Sequence, residues 1–367
     1  MVEPGLTVGV EEEFLLVDDD TRYTVPRAAA VLAHAPMRQL PIGATLQREL
    51  QSSQVELATG VCTNLAVLRQ QLVAGRQLLA VAAKREDAKL ISSGTPVLAS
   101  LHAPSTTGTR FEAISDIYRG QADKYQSSGC HVHVGVPDRE TAIAVINHLR
   151  PWLPTLLALS VNSPFDDGTD SGFGSWRTLQ QAMFPGSGIP PWFASASAYD
   201  LQVDRLVAAG VLVDPAMTFW LARPSPRFPT VEVRVADAAS TADEAVLQAA
   251  LTRALVRTAL VDISDGHAAP AADDQVLAAA LWSAARYGLR GPGIEPDTGS
   301  QVPAMELVDR LLDLLRPALV ETNDWDRAQE VVKDLVAGGT GAERQRNAAE
   351  NGPAAVVDML SRVVGRP

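Results

Sequence analysis

Valine recurs at alternate positions in three stretches of this chain, and glutamate, histidine or arginine side chains stand between or beside them. Thr7 to Asp18 (TVGVEEEFLLVD) opens with that alternation and stops at the turn-like Asp18-Asp19-Asp20. Gly129 to Pro137 alternates around Val132, Val134 and Val136, and Pro229 to Asp237 sets Val231, Val233 and Val235 against Glu232 and Arg234. A period of two is the signature of a strand with two unlike faces, so all three are predicted strands, with Gln54 to Thr59 a shorter fourth. Helical spacing predicts helices over Leu65–Lys89, Arg139–Leu149 behind Asp138 as N-cap, Pro303–Arg316, Asp326–Val336 and Ala354–Val364. Thr241 and Glu244 predict a capping box ahead of Ala245–Leu260. The Gly/Pro/Ser-rich stretches Ser163–Ser175 and Pro185–Ala198 read as long loops. Strands separated by helices, without regular βαβ spacing, point to an α+β fold built on an antiparallel sheet.

Length and charge narrow the classes. The chain of 367 residues has room for one large or two modest domains, and it carries neither an internal repeat nor a low-complexity tract. Lys plus Arg is 31 against 43 Asp plus Glu, a formal charge of −12, which disfavours nucleic acid or an anionic membrane as partner. A phosphate-bearing ligand would therefore need local arginines or divalent metal. Two cysteines, Cys62 and Cys130, support neither a disulfide framework nor a structural zinc site. Apolar runs such as Ala245–Leu260 are interrupted by Arg253 and Arg257, and the first residues lack a basic and then apolar leader, so a cytoplasmic protein is expected.

On a strand, Glu11 and Glu13 share one face, as do His131 and His133, and as do Glu232 and Arg234. Each pair alone has a bland explanation: a solvated acidic edge, a half-exposed imidazole pair, a surface ion pair. Together they place functional groups where a sheet would normally offer apolar ones. If the strands form one sheet, Glu11, Glu13, Glu56, His131 and Glu232 converge on a concave surface. Hard carboxylate oxygens with one or two imidazoles suit Mg²⁺ or Mn²⁺ better than zinc. Arg234, with Arg223 and Arg227 of Arg223-Pro-Ser-Pro-Arg227, adds cations for a polyphosphate, although no P-loop or dinucleotide fingerprint is present.

Four segments, Val8–Asp18, Val55–Thr59, Gly129–Gly135 and Arg223–Asp237, resemble the carboxylate–amine ligases of the glutamate–cysteine ligase type 2 family. Asn147–Pro154, Ala284–Leu289 and Gly339–Arg346 extend the likeness nearly end to end. The resemblance implies the fold of glutamine synthetase and guanidino kinase catalytic domains, a curved, mostly antiparallel sheet forming a funnel with helices outside. Over 1–367 it implies one catalytic domain whose portion from about 300 is helical. It also implies ATP-dependent ligation: the acid takes the γ-phosphate as an acyl phosphate, and an amine then displaces phosphate. By that likeness Glu11, Glu13, Glu49, Glu56, His131 and Glu232 ligate magnesium, Glu49 entering only through the comparison. Arg234 would stabilise the transferring phosphoryl group, and His133 would be a lesser ligand or phosphate contact. Glutamate with cysteine or another amine is the simplest substrate pair, and a homodimer the implied assembly.

The likeness breaks at particular places. Gly94-Thr-Pro-Val97 lacks the histidine usual there, Leu98–Ser128 departs from the family pattern, and Gln180–Phe184 stands where tryptophans are common. The substrates are therefore open to differ from glutamate and cysteine, as in a specialised biosynthetic amide ligase. A guanidino-kinase-like phosphotransferase and an idle scaffold are the competing readings. Arg177 is the expected substrate-carboxylate clamp, and Trp192, Phe193 and Trp220 are expected at a pocket or an interface.

Overall fold

The computed structural model describes residues 3–100 and 105–366. Seven strands form its main sheet: β1 (Val8–Asp18), β2 (Thr45–Arg48), β3 (Gln54–Ala58), β4 (Ala88–Ile91), β5 (Gly129–Gly135), β6 (Ala222–Pro224) and β7 (Thr230–Asp237). Their order is β6-β7-β5-β1-β3-β2, with β4 also paired to β1, and every pairing is antiparallel. Central β1 is long enough to serve three neighbours: Val8–Glu12 face β5, Glu11–Leu15 face β3, and Leu15–Asp18 face β4.

The alternation read in the sequence separates the two faces. Val8, Val10, Val132, Val134, Val231, Val233 and Val235 are buried in one core with the helices Leu65–Lys84, Arg139–Leu149, Leu153–Ser160 and Ala242–Ser264. On that same face Glu12 is buried, ion-paired to the equally buried Arg76, whose guanidinium also donates to the carbonyls of Ser240 (3.1 Å) and Ala239 (2.9 Å). A buried pair is tolerable only when its remaining protons are satisfied, and here they are. The opposite face changes character along β1. Glu11 and Glu13 line a cavity, whereas Leu15 and Val17 are covered by Val356, Val357 and Leu360 of the helix Pro353–Val364. Only half of this face is left for chemistry.

Several elements differ from the sequence reading. The helix expected over Leu65–Lys89 ends at Lys84, because Ala88–Ile91 finds a strand partner in β1. The helix expected to stop at Arg316 continues through Pro317 to Glu321: its buried stripe of Leu307, Leu311, Leu315 and Leu319 outweighs the one donor that proline removes. Thr241 does accept from the Glu244 amide, yet the Glu244 carboxylate is used by Arg344 (2.6 Å). The reciprocal capping box forms instead at Thr340 and Glu343. The two expected loops contain short strands, Phe165–Asp166 with Thr169–Asp170, and Ser187–Gly188 with Phe219–Trp220. Phe193 and Trp220 are buried against Tyr199 while Trp192 is exposed; of the three aromatics expected at a pocket or an interface, Trp192 and Phe193 line a cavity. Among the described residues one stretch, Arg139–Ser160, is long and apolar enough to cross a membrane, and 89% of its most apolar 18-residue window is buried inside the protein.

Candidate active site

Strand register, more than any single residue, builds the site. Glu11 stands opposite His131 across β1 and β5, Glu13 opposite Glu56 across β1 and β3, and His133 opposite Glu232 across β5 and β7. Arg223 stands opposite Glu232 across β6 and β7. Directly opposed residues hold their Cβ atoms roughly 5 Å apart, so four chemically active pairs are fixed by backbone hydrogen bonds alone. Glu49 joins from the turn after β2. A bulge in the β5–β7 pairing falls between Val233 and Ala236, where Arg234 enters the cavity; bulges commonly re-aim a side chain next to an active site.

These groups line a cavity of about 400 Å³, a size suited to a small-molecule ligand. Their ligand atoms fall into two triads, each within 4.8 Å: Glu11, His133 and Glu232 in one, and Glu13, Glu49 and Glu56 in the other. His131 lies between them, Nδ1 3.6 Å from Glu11 and Nε2 3.8 Å from Glu13. The expected ranking of the histidines is thereby altered. His133 shares a triad, with Nε2 3.4 Å from Glu11 and Nδ1 3.0 Å from the Thr230 hydroxyl, while His131 bridges. The Nε2 atoms of both rings are buried without a hydrogen-bond partner among the described residues. Buried orphan imidazole nitrogens beside acids fit a hard divalent cation, so the residues suit the metal the family implies.

The charge balance points the same way. Burial and the Glu49 charge push Glu13 up to about 8. Burial and the neighbouring Glu49, Glu11 and Glu13 carboxylates push Glu56 well above the ordinary carboxylate range, and burial with Glu11 raises Glu49. Burial would raise Glu11 too, but the adjoining His131 and His133 imidazoles hold it low. Burial and the Arg234 charge lower His131 to about 4, whereas His133 is raised despite burial by the nearby Glu11 and Glu232 carboxylates. Glu232, against its burial, is held at about 2 by Arg223 and Arg234. One triad thus holds protons that a cation can displace, and the other is already anionic.

Arg223 grips Glu232 with two nitrogens, at 2.9 and 3.1 Å, and donates to the carbonyls of Ala216 and Thr218. Its guanidinium is therefore committed to the wall. Arg234 Nε lies 2.8 Å from Glu232 and Nη1 3.0 Å from the Thr218 carbonyl. Arg227, exposed in the turn between β6 and β7, lines the cavity mouth. Arg177 does not line the cavity. It is 1% exposed, it donates to the carbonyls of Val235 (3.3 Å) and Arg234 (3.1 Å), and it lies 3.8 Å from the buried Asp237. The expectation of a substrate clamp gives way to a brace beneath the site: a Cβ on Gly129 would lie 2.5 Å from its Nη2 and 3.0 Å from His131 Nε2, so only glycine permits this approach.

The sequence reading did not find Gln54, Arg110, Tyr125, Ser127, Gln181, Thr218, Phe219 or Phe228, all of which line the cavity. Most come from loops and helix ends, and Phe219 from a two-residue strand, with no period to mark them; Gln54, at the start of β3, was within reach of the alternation.

An antiparallel sheet with two carboxylate-rich triads and arginines over one cavity is the setting of a metal-dependent enzyme that handles a polyphosphate. Glutamate–cysteine ligase of Francisella tularensis, solved in complex with AMP, has the same fold, with a TM-score of 0.70 at 14% identity, covering 98% of this chain and 88% of that one. The bifunctional glutathione synthetase of Pasteurella multocida gives 0.70 at 15%, with 98% of this chain covering 51% of that longer one. In sequence, the chain is 55% identical over 364 residues to a Saccharopolyspora erythraea protein provisionally named glutamate–cysteine ligase 2-2, covering 98% of this chain and 93% of the relative. A Salinispora arenicola relative with a similar provisional name is 42% identical, covering 97% and 94%. The model of glutamate–cysteine ligase family 2 matches residues 7–358, and this chain belongs to that family.

Proposed function

We propose that the ligase works through an acyl phosphate with Mg²⁺, or Mn²⁺ in its place, held by the two triads. Glu11, His133 and Glu232 form one seat; Glu13, Glu49 and Glu56 form the other; His131 bridges them. Ions bound there supply charge neutralisation for the nucleotide phosphates. Arg234, beside Glu232, faces the transferred phosphoryl group, Arg223 keeps Glu232 ionised, and Arg227 meets the outer phosphates. The acid's carboxylate oxygen attacks the γ-phosphorus and ADP leaves; the amine nitrogen then attacks the acyl carbon and phosphate leaves, closing the amide. Glutamate with cysteine or another amine is the simplest pair. We place this chemistry in one catalytic domain, in the cytoplasm, in a homodimer.

The observation that supports this most directly is the pair of triads created by strand register. The test is ADP release from ATP and Mg²⁺ across acids crossed with amines, with hydroxylamine trapping of acyl phosphate. ADP formation that needs both partners is expected. A stable phosphorylated product with no joined substrate would instead indicate a phosphotransferase.

A further inference from the structure

One end of the cavity is unlike the rest. Phe111 and the buried Ile114 come from the helix Thr109–Tyr118, Tyr125 from the segment that follows, and the buried Met217 and half-buried Phe219 from the opposite wall. Tyr125 and Phe219 both pack on the buried Phe184, at ring distances of 4.9 and 4.6 Å, so this wall is an ordered aromatic cluster. The elements that build it bring one cation into the cavity wall, Arg110, and Asp214 takes it at 2.6 Å. Gln181 borders this lobe through Tyr125. It is 6% exposed, its Nε2 donates to the Tyr125 hydroxyl at 3.1 Å, and its Oε1 has no donor among the described residues. A buried acceptor left without a donor is costly, so a ligand that brings an N–H is favoured there.

We infer that this lobe is the amine subsite and selects a primary amine with an uncharged apolar or aromatic body, its N–H accepted by Gln181 Oε1. This rests on the ligase reading above and sets its second substrate. The argument is one of charge. An α-amino acid such as cysteine carries a carboxylate, and the cations beside the lobe are already engaged, Arg110 by Asp214 and Arg234 by Glu232 and the Thr218 carbonyl. Burying that carboxylate unpaired in an aromatic wall is strongly disfavoured. An aliphatic or phenylalkyl amine buries only carbon surface there and satisfies the open acceptor. The two segments that depart from the family pattern, Leu98–Ser128 and Gln180–Phe184, supply four of these groups: Phe111, Ile114, Tyr125 and Gln181.

The experiment has three arms on the full-length protein. Hydroxylamine trapping with ATP, Mg²⁺ and a panel of acids, without amine, reads acid activation; its failure would sink the ligase reading, separately from the amine assignment. With an accepted acid, phenethylamine and isopentylamine should exceed cysteine and glycine in kcat/KM by about tenfold or more, the scale set by a missing polar partner in a buried site. Cysteine ethyl ester should outrun cysteine for the same reason. Independently of turnover, phenethylamine should raise the melting temperature of the protein with a nonhydrolysable ATP analogue, and cysteine should not. Gln181→Leu should lower the ratio of amide to trapped hydroxamate about tenfold, the equivalent of one good hydrogen bond. The inference is overturned if cysteine matches the apolar amines in both rate and thermal shift. It is equally overturned if Gln181→Leu depresses hydroxamate and amide alike, which would assign the lobe to the acid.

Discussion

Glu13 and Glu56 face each other directly across the β1–β3 pair, carboxylate opposite carboxylate on the face that lines the cavity. Like charges in that relation destabilise a sheet, and burial adds to the cost. Replacing Glu56 with Gln is expected to stabilise the metal-free protein by on the order of 1 kcal/mol while abolishing ADP formation. Thermal melting in chelator, beside a coupled ADP assay, checks both halves; a Glu56→Gln protein that melts lower in chelator would contradict the repulsion argument.

The same pair sets a pH dependence. Glu13, raised from 4.5 to about 8 by burial and by Glu49, binds its proton more tightly folded than unfolded. Between those values the folded protein holds more protons than the unfolded chain, so stability in chelator should fall as pH rises from about 4.5 to 8. Added Mg²⁺ should remove most of that slope, and its binding should release protons below about pH 8. Melting curves across pH with and without Mg²⁺ read the first effect; calorimetry in buffers of different ionisation enthalpy reads the second.

Thr230 is a positioning residue for His133. Its hydroxyl lies 3.0 Å from Nδ1, which fixes the ring and turns Nε2 toward Glu11. Losing such an outer partner typically costs about 10–100-fold in metal affinity. Mn²⁺ titration followed by EPR should show that loss for Thr230→Val and recovery for Thr230→Ser.

Arg234 reaches Glu232 and the Thr218 carbonyl through a planar fork that lysine cannot reproduce. Arg234→Lys should keep Mn²⁺ binding but lower kcat for ADP release by roughly 10²-fold, the scale of losing one preorganised charge stabiliser. Equal losses in metal binding and kcat would show that Arg234 only shapes the seat.

Arg177 should behave as a brace. Arg177→Met leaves Asp237 buried without its cation and frees two carbonyls, a loss of about 3 kcal/mol in stability. A well-folded Arg177→Met variant with only a raised KM for the acid would return it to the role of clamp.

Alternation was enough to put Glu11 with Glu13, His131 with His133, and Glu232 with Arg234 on a shared face of their own strands, since side chains on a strand have a fixed period. Capping residues and apolar stripes located most helices for the same local reason. Which strands are neighbours, and in what register, is a long-range property. Glu13 meets Glu56 across 43 residues of chain, and His133 meets Glu232 across 99. The tertiary structure alone separated the two triads and chose His133 over His131 for one of them. It also drew Arg177 under the floor, and gathered Tyr125, Gln181 and Phe219 into a lobe, because loops and helix ends are positioned by packing that no local pattern records.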